Sequence, residues 1–344
     1  MNVYRNMDRS AVQFDFLVFH SERECYESEI EEFGGHVYHV PIMEGANLLR
    51  RRRMLDDFFN ERHDYVAVHG HMAALGKDYL RSAAEHGIER RFSHSHIADF
   101  ERTPRNIVKQ AFQKGFGEYA TLRLACSKAA GEFMYPGQSF EVVNNGIDTT
   151  AFTFDANRRR QFRETLGVPA GSKLIGHVGR FELMKNHYFL VDVFAELCHR
   201  DERIFCVLAG DGSLRTSIES KVSSLNLDGR VRFVGLVDDM PSFYDGIDCF
   251  VMPSLFEGLP FSAVEAQCSG VPCILSNRIT EEVAITNQVE YLPLEAGTNA
   301  WADDIERILE RGSSSARETY ANVVAGAGFD IKEIASDLFK LYVD

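Results

Sequence analysis

Two carboxylates, Glu257 and Glu265, are separated by seven residues and enclose the turn Gly258-Leu259-Pro260, with Phe261 behind it. The apolar run Cys249 to Met252 before them reads as a buried strand. Residues 262–269 after them read as a helix ended by Gly270. This is a strand, a glycine loop and a helix, with one acid at the loop mouth and one within the first helical turns. Backbone N–H groups at such a helix start favour anionic or hydroxyl-rich ligands. An acid inside the helix can accept hydrogen bonds from a ribose diol, as acids do in dinucleotide folds. Solvated glutamates that offset the helix dipole are the plainer alternative.

A second group of residues suits phosphate. Arg180 follows an expected strand at 174–178, and Lys185 opens the next helix. Two fixed cations there can clamp a diphosphate and stabilise charge on a departing phosphate. Gly210-Asp211-Gly212 follows the expected strand 205–209, where glycine lets backbone approach a ligand; a plain turn explains it almost as well. Nine of the twelve histidines precede residue 150, and four form the pairs His69/His71 and His94/His96, each expected just after a strand. Alternate strand residues share a face, so either pair could take zinc. Each pair taken alone has no acidic or cysteine ligand spaced to complete a site, and no metal is expected.

The elements that would hold these residues are legible in outline. The chain has 344 residues, enough for about two domains, and 45% of them are hydrophobic, enough for a sizeable core. No apolar run approaches the ~18 residues of a membrane span, and the start does not resemble a secretion signal. Seven scattered cysteines without a C-x-x-C spacing fit reduced thiols of a cytoplasmic protein. The net charge of −14 argues against nucleic-acid binding. Arg50, Arg51, Arg52 and Arg53 lie in an expected amphipathic helix, 48–60, which suits either anionic lipid or plain solvent.

Short strands are expected at 14–19, 36–40, 65–68, 91–93, 122–127 and 140–143, with helices between them, including one at 105–117. After a pause at 144–148, strands recur at 174–178, 205–209, 231–234, 249–252 and 273–275. Alternation at this period predicts an α/β fold of doubly wound parallel sheets. The divisions fall at 1–150, 151–325 and 326–344, and a Ser313-Ser314-Ser315 patch is expected to lie in a loop between late helices.

The segment from Pro253 to Ala266, with PS, EGLP and EA around the two acids, resembles the E-x7-E motif of family 4 retaining glycosyltransferases of the GT-B type. GRF-x3-KNH at 179–187 resembles that family's diphosphate-binding segment. The likeness extends along the whole chain and implies two Rossmann-like domains facing a cleft, with the last helix, 331–342, crossing back to the first. It implies that Glu265 holds the ribose and that Arg180 and Lys185 hold the diphosphate. Glu257 and the backbone of Leu259 to Phe261 would hold the donor sugar. Gly210 and Asp211 would border the donor, and backbone near Val237 would meet the base. His96, or His94 if the S-H-S-H register shifts, would touch the transferred sugar.

The donor by family habit is a UDP-sugar, a substrate rather than a cofactor. The acceptor would be lipid-linked or a saccharide, in polysaccharide assembly at the inner membrane face. The sequence has no D-x-D triplet, which fits a metal-free design. Residues 1–9 resemble the inside of the family's first helix, so its first strand and glycine loop are expected to be missing, which would leave unpaired strand edges. Either the true start lies upstream or the chain is a truncated, inactive relative. A donor-binding subunit without activity and a sugar-nucleotide 2-epimerase are the alternatives.

Overall fold

The structure, a computed structural model, describes residues 1–42, 48–62, 64–72, 76–96, 115–312 and 316–343. The expected helix at 105–117 lies almost wholly outside the described residues, and the Ser313-Ser314-Ser315 patch does so entirely. The chain forms two compact units, Met1–Gly146 with Ile331–Asp344, and Ile147–Asp330. The sequence had placed the divisions at 150 and 325. Residues 147–150 and 326–330 pack together instead: Ile147 bridges Asp330, its N–H donates to the Phe329 carbonyl (2.9 Å), and the Thr149 hydroxyl bonds the Asp330 carboxylate.

The second unit is one six-stranded parallel sheet. Its strands are β7 (Lys173–Val178), β8 (Ile204–Ala209), β9 (Val231–Gly235), β10 (Cys249–Met252), β11 (Cys273–Ser276) and β12 (Val289–Leu292), in the order β12-β11-β10-β7-β8-β9. β10 and β11 are buried at every residue, as strands covered on both faces must be. Helices α6 (Ala156–Thr165), α7 (His187–Arg200), α8 (Arg215–Ser224), α9 (Met240–Gly246), α10 (Phe261–Cys268), α11 (Gly297–Arg311) and α12 (Tyr320–Val324) surround the sheet. Two apolar clusters result, one around Phe243, Phe250 and Val264, the other around Phe194, Val251 and Trp301. The chain runs outward from β7 through β8 to β9, then returns to build β10, β11 and β12 on the other side. The β7/β10 seam is thus the switch point where ligands of such sheets bind.

The first unit is also parallel, but its described strands form two sheets. β1 (Phe16–Val18) pairs with β2 (Val37–His39). β3 (Ala67–Gly70), β4 (Arg90–Ser95), β5 (Leu122–Ala125) and β6 (Glu141–Val142) form the other. No ladder joins β1 to β3. Helices α1 (Asn2–Arg5), α2 (Glu27–Glu32), α3 (Leu48–Glu61), α4 (Gly76–Glu85), α5 (Lys128–Met134) and α13 (Ile331–Val343) complete the unit. Ile334, Leu338 and Tyr342 of α13 cluster with Met7, Val12, Phe92 and Leu124, so the last helix closes this unit's core. On α3, Arg50 and Arg53 are exposed while Arg51 and Arg52 are half-buried, so the four arginines do not share one face. Among the described residues, no helix is long and apolar enough to cross a membrane.

Candidate active site

The loops after β7 and β10 meet at the switch point of the second unit. The Leu255 N–H donates to the Met184 carbonyl (2.8 Å), and Asn186 Nδ2 donates to the Pro253 carbonyl (3.1 Å). Asn186 adopts a left-handed conformation (φ 54°), which asparagine tolerates, and from there the chain enters α7. Across this seam Lys185 Nζ sits 2.6 Å from Glu257 Oε1. The sequence assigned these two groups to different parts of a ligand; the structure pairs them. An ion pair between half-buried groups is a poor stability device but a ready exchange partner. An incoming anion can take the ammonium, and an incoming hydroxyl can take the carboxylate.

Glu257 sits at the loop mouth, where it forms a parallel bridge with Ile279. Gly258, Leu259 and Pro260 turn the chain, and Pro260 (φ −72°, ψ 118°) starts α10 with no side chain capping it. The Ala263 N–H donates to the Pro260 carbonyl (3.1 Å), so the N–H groups left for a ligand at this helix start are those of Phe261 and Ser262. Phe261 is exposed beside them. One turn into α10, Glu265 Oε2 accepts a hydrogen bond from the buried Tyr244 hydroxyl (2.9 Å). Burial pushes the Glu265 carboxyl up, and the Tyr244 bond partly offsets this. Tyr244, on α9, is a site residue that the spacing of the acids gave no reason to suspect.

The loops after β7, β8 and β9 are laced together. Gly179 N–H donates to the Ala209 carbonyl (3.0 Å), Gly210 N–H to the Gly235 carbonyl (2.7 Å), and Phe181 N–H to the Asp211 carbonyl (3.0 Å). Gly210 (φ 131°) lies so close to Gly179 that a β-carbon on it would sit 2.1 Å from the Gly179 oxygen. Glu182 accepts from Ser213 N–H (3.2 Å) and Oγ (3.0 Å), and these bonds hold its carboxyl below the usual range. Arg180 is exposed, and Asp211 Oδ1 accepts from the Gly212 N–H (2.8 Å). Val237 is half-buried, with its side chain against the core. The structure thus brings Lys185, Glu257, Glu265 and the 258–261 turn to the β7/β10 switch point, and puts Arg180, Gly210 and Asp211 on the adjoining laced loops.

The first unit carries the histidines. β3 begins two residues later than the sequence suggested, so His69 lies inside β3 and His71 just beyond it. Likewise His94 lies inside β4 and His96 just beyond it. His69 pairs with Phe92 in the parallel ladder, and paired residues share a face, so all four histidines emerge on one side. Their rings stack, His94 on His96 at 4.4 Å and His69 on His71 at 4.5 Å between centroids. His69 Nε2 is 3.1 Å from His94 Nδ1, and His71 Nδ1 is 2.8 Å from His96 Nε2. Burial, then the neighbouring imidazoles, drives the pKa of His94 down to about 2. His96 is lowered by burial and partly restored by Asn145. Tyr342 on α13 reaches His69 Nδ1 at 2.5 Å, a contact across almost the whole sequence.

Residues 158–323 match the family described as glycosyl transferases, group 1. The chain is 34% identical to the putative glycosyltransferase EpsF of Bacillus subtilis, over 99% of this chain and 91% of that one. It is 26% identical to the UDP-Gal:alpha-D-GlcNAc-diphosphoundecaprenol alpha-1,3-galactosyltransferase of Escherichia coli, over 83% and 76% of the two chains. Among solved structures, Anabaena Alr3699/HepE in complex with UDP superposes with a TM-score of 0.79 at 17% identity, covering 98% of this chain and 94% of that one. The lipopolysaccharide outer core galactosyltransferase WaaB superposes at 0.72 and 16%, covering 99% and 93%. The two Rossmann-like units are those of the GT-B fold. With nearly the full length of both chains aligned to EpsF, this protein belongs to the group 1 glycosyltransferases.

Proposed function

We infer that the enzyme transfers a hexosyl group from a UDP-sugar to a lipid-linked or saccharide acceptor, with retention and without a metal, in polysaccharide assembly. The observation that carries this reading is the Lys185–Glu257 pair at the switch point, with Glu265 one helix turn beyond. Diphosphate would displace Glu257 from Lys185 and add Arg180. The freed Glu257 and the 258–261 backbone would meet the sugar hydroxyls, and Glu265 the ribose. His96, with His94 as the alternative, would touch the transferred sugar. A leaving phosphate that itself assists the acceptor hydroxyl needs no separate general base, and fixed cations do the charge stabilisation that a divalent ion does elsewhere.

The support for the donor is that HepE is known in complex with UDP and with UDP-glucose. The support for the acceptor class is the diphosphoundecaprenol in the name of the Escherichia coli relative. An acceptor of that kind fits a working position at a membrane face, with Arg50 and Arg53 of α3 toward anionic lipid.

The test is calorimetric binding of UDP, GDP and ADP to the wild type and to Glu265→Ala, followed by transfer from UDP-hexoses in chelator. Preferential UDP binding lost in the variant, and an α-linked product formed in chelator, are expected. Equal binding of all three nucleotides, or transfer that stops in chelator, defeats the donor or the metal-free part respectively. Free 2-epimerised sugar nucleotide as the product would establish the epimerase instead.

A further inference from the structure

We propose that His69, His71 and His94 form a binding site for a divalent borderline cation of the Zn²⁺ class at the ends of β3 and β4. All three ligands belong to the first unit, and one of them, His94, is also the alternative sugar contact of the proposed function. The two H-x-H pairs, judged one at a time, lacked a third ligand. Strand pairing supplies it, because β3 and β4 are neighbours in register and set both pairs on one face. One ring nitrogen from each of these three residues lies within 4.8 Å of the other two.

Contacts from outside the group of three hold one nitrogen of His69 and one of His71. Tyr342 holds His69 Nδ1 (2.5 Å), leaving Nε2. His96 holds His71 Nδ1 (2.8 Å), leaving its other nitrogen. Nδ1 of His94 faces His69 Nε2 at 3.1 Å. Two nitrogens on one tetrahedral zinc, at Zn–N of about 2.0–2.1 Å, are themselves ~3.3 Å apart, so this pair already has the spacing of two ligands. Metal-bound histidines usually give their second nitrogen to a partner that fixes the ring, and Tyr342 and His96 are placed to do so.

Two further observations point the same way. His94 is 4% exposed, so its ring is fixed at the floor of the group. His69 is half-buried and His71 exposed, so the cluster has a closed floor and an open mouth through which an ion can enter. A site of three neutral imidazoles selects Zn²⁺, Co²⁺, Ni²⁺ or Cu²⁺ over the oxygen-seeking Mg²⁺ and Ca²⁺. It also leaves a fourth position on the ion for water or an anionic oxygen.

The experiment uses the untagged full chain, stripped with chelator and titrated with Co²⁺, then with Zn²⁺. One equivalent of Co²⁺ should give the intense visible absorption of a tetrahedral site, and Zn²⁺ should bleach it while excess Mg²⁺ does not. Because His71 is exposed, His71→Asn should fold as the wild type does and weaken Zn²⁺ binding at least tenfold by calorimetry. His199→Asn, on α7 of the second unit, should bind as the wild type does. X-ray absorption at the zinc edge should count three imidazole ligands. The proposal is overturned if Co²⁺ gives only the pale spectrum of the hydrated ion, or if His71→Asn binds Zn²⁺ as tightly as the wild type. An absorption edge with fewer than three imidazoles overturns it too.

Discussion

The strand ends of the two units carry opposite chemistry. In the second unit they hold charge that is already paired, Lys185 with Glu257, and a carboxylate, Glu265, steadied by one tyrosine hydroxyl. In the first they hold four stacked imidazoles, of which the buried His94 is kept neutral. The sheets differ in the same sense. β10 and β11 are wholly buried in a continuous six-stranded sheet, whereas β1, β2 and most of β3 are half-buried in a sheet described as two pieces. A stiff, buried switch point can keep a cation and a carboxylate within 2.6 Å until a charged ligand exchanges with both. A histidine face with no fixed charge suits hydroxyl groups or a borderline cation. On the proposed function, the contrast places selection for an anionic donor in the second unit.

The comparison breaks most severely at Gly210. A β-carbon there would sit 2.1 Å from the Gly179 carbonyl oxygen, at φ 131°. Gly210→Val should therefore destabilise the laced loops by about 3 kcal/mol or more, a backbone strain and a clash together. UDP binding should vanish and the melting temperature should drop. Gly167→Ala is the matched control: its φ is also positive (64°), but it has open space around it, so it should cost only about 1 kcal/mol and spare binding. Equal losses in the two variants would show that the Gly179–Gly210 contact does not hold the site.

Next in size is the exchange at the seam. Lys185→Ala should lower kcat/KM roughly a hundredfold, about 2.7 kcal/mol, by removing a cation from the diphosphate and stranding Glu257. Glu257→Gln should cost less in nucleotide affinity than in turnover, since it is expected to face the sugar. Measured as a double-mutant cycle, the pair should couple by about 1–2 kcal/mol in the free enzyme's stability, and the coupling should fall when UDP is bound. An unchanged coupling with UDP present would mean that the pair does not open for the ligand.

How much of this was legible in the sequence depends on range. β10, the Gly258-Leu259-Pro260 turn and α10 follow from local signals: a continuous apolar run, turn residues, then a helix ended by glycine. β12 escaped because Val289–Leu292 is four half-buried residues that mix polar and apolar types, a pattern shared with loops. β3 was expected two residues early because Tyr65 and Val66 look like strand residues. Val66 is in fact 65% exposed, and the Tyr65 hydroxyl leaves to bond Asp15 (2.7 Å). The candidate site residues come from local motifs, but no spacing rule joins Lys185 to Glu257, Tyr244 to Glu265 or Tyr342 to His69. Those pairings are products of sheet order and of the last helix packing into the first unit. The gathering of the four histidines has the same origin, since it needed the β3–β4 register.

A smaller effect separates neutral histidines from charged seam residues within the second unit itself. His187 opens α7, stacks on Phe181 at 4.2 Å, and has both ring nitrogens buried without partners. Burial, then the charge of Lys185, lowers its pKa from 6.5 to about 4. The folded state thus binds fewer protons than the unfolded state between those values. Stability is full above pH 6.5 and is lost as the pH falls toward 4, by about 1.4 kcal/mol at pH 5.5. His187→Phe keeps the stack and removes the titration, so its urea midpoint should shift less between pH 7.5 and 5.5. His177 is lowered by burial as well and keeps part of the loss in place. Identical shifts in wild type and variant would show that His187 is not held neutral.

The smallest expected effect probes the one hydroxyl that steadies Glu265. Tyr244→Phe removes a single donor from a carboxylate whose pKa burial already raises. The loss should be about 1 kcal/mol, or roughly fivefold in UDP affinity at pH 8. It should grow as the pH falls, because without the Tyr244 bond Glu265 takes up its proton at a higher pH and can then accept fewer hydrogen bonds from a ribose. Glu265→Gln should abolish that pH dependence while binding weakly throughout. UDP affinity measured from pH 8 to pH 5.5 on the three proteins reads this out. Superimposable profiles for wild type and Tyr244→Phe would mean that Glu265 does not act on the donor as a carboxylate, and the charged character assigned to the second unit's strand ends would then rest on Lys185 and Glu257 alone.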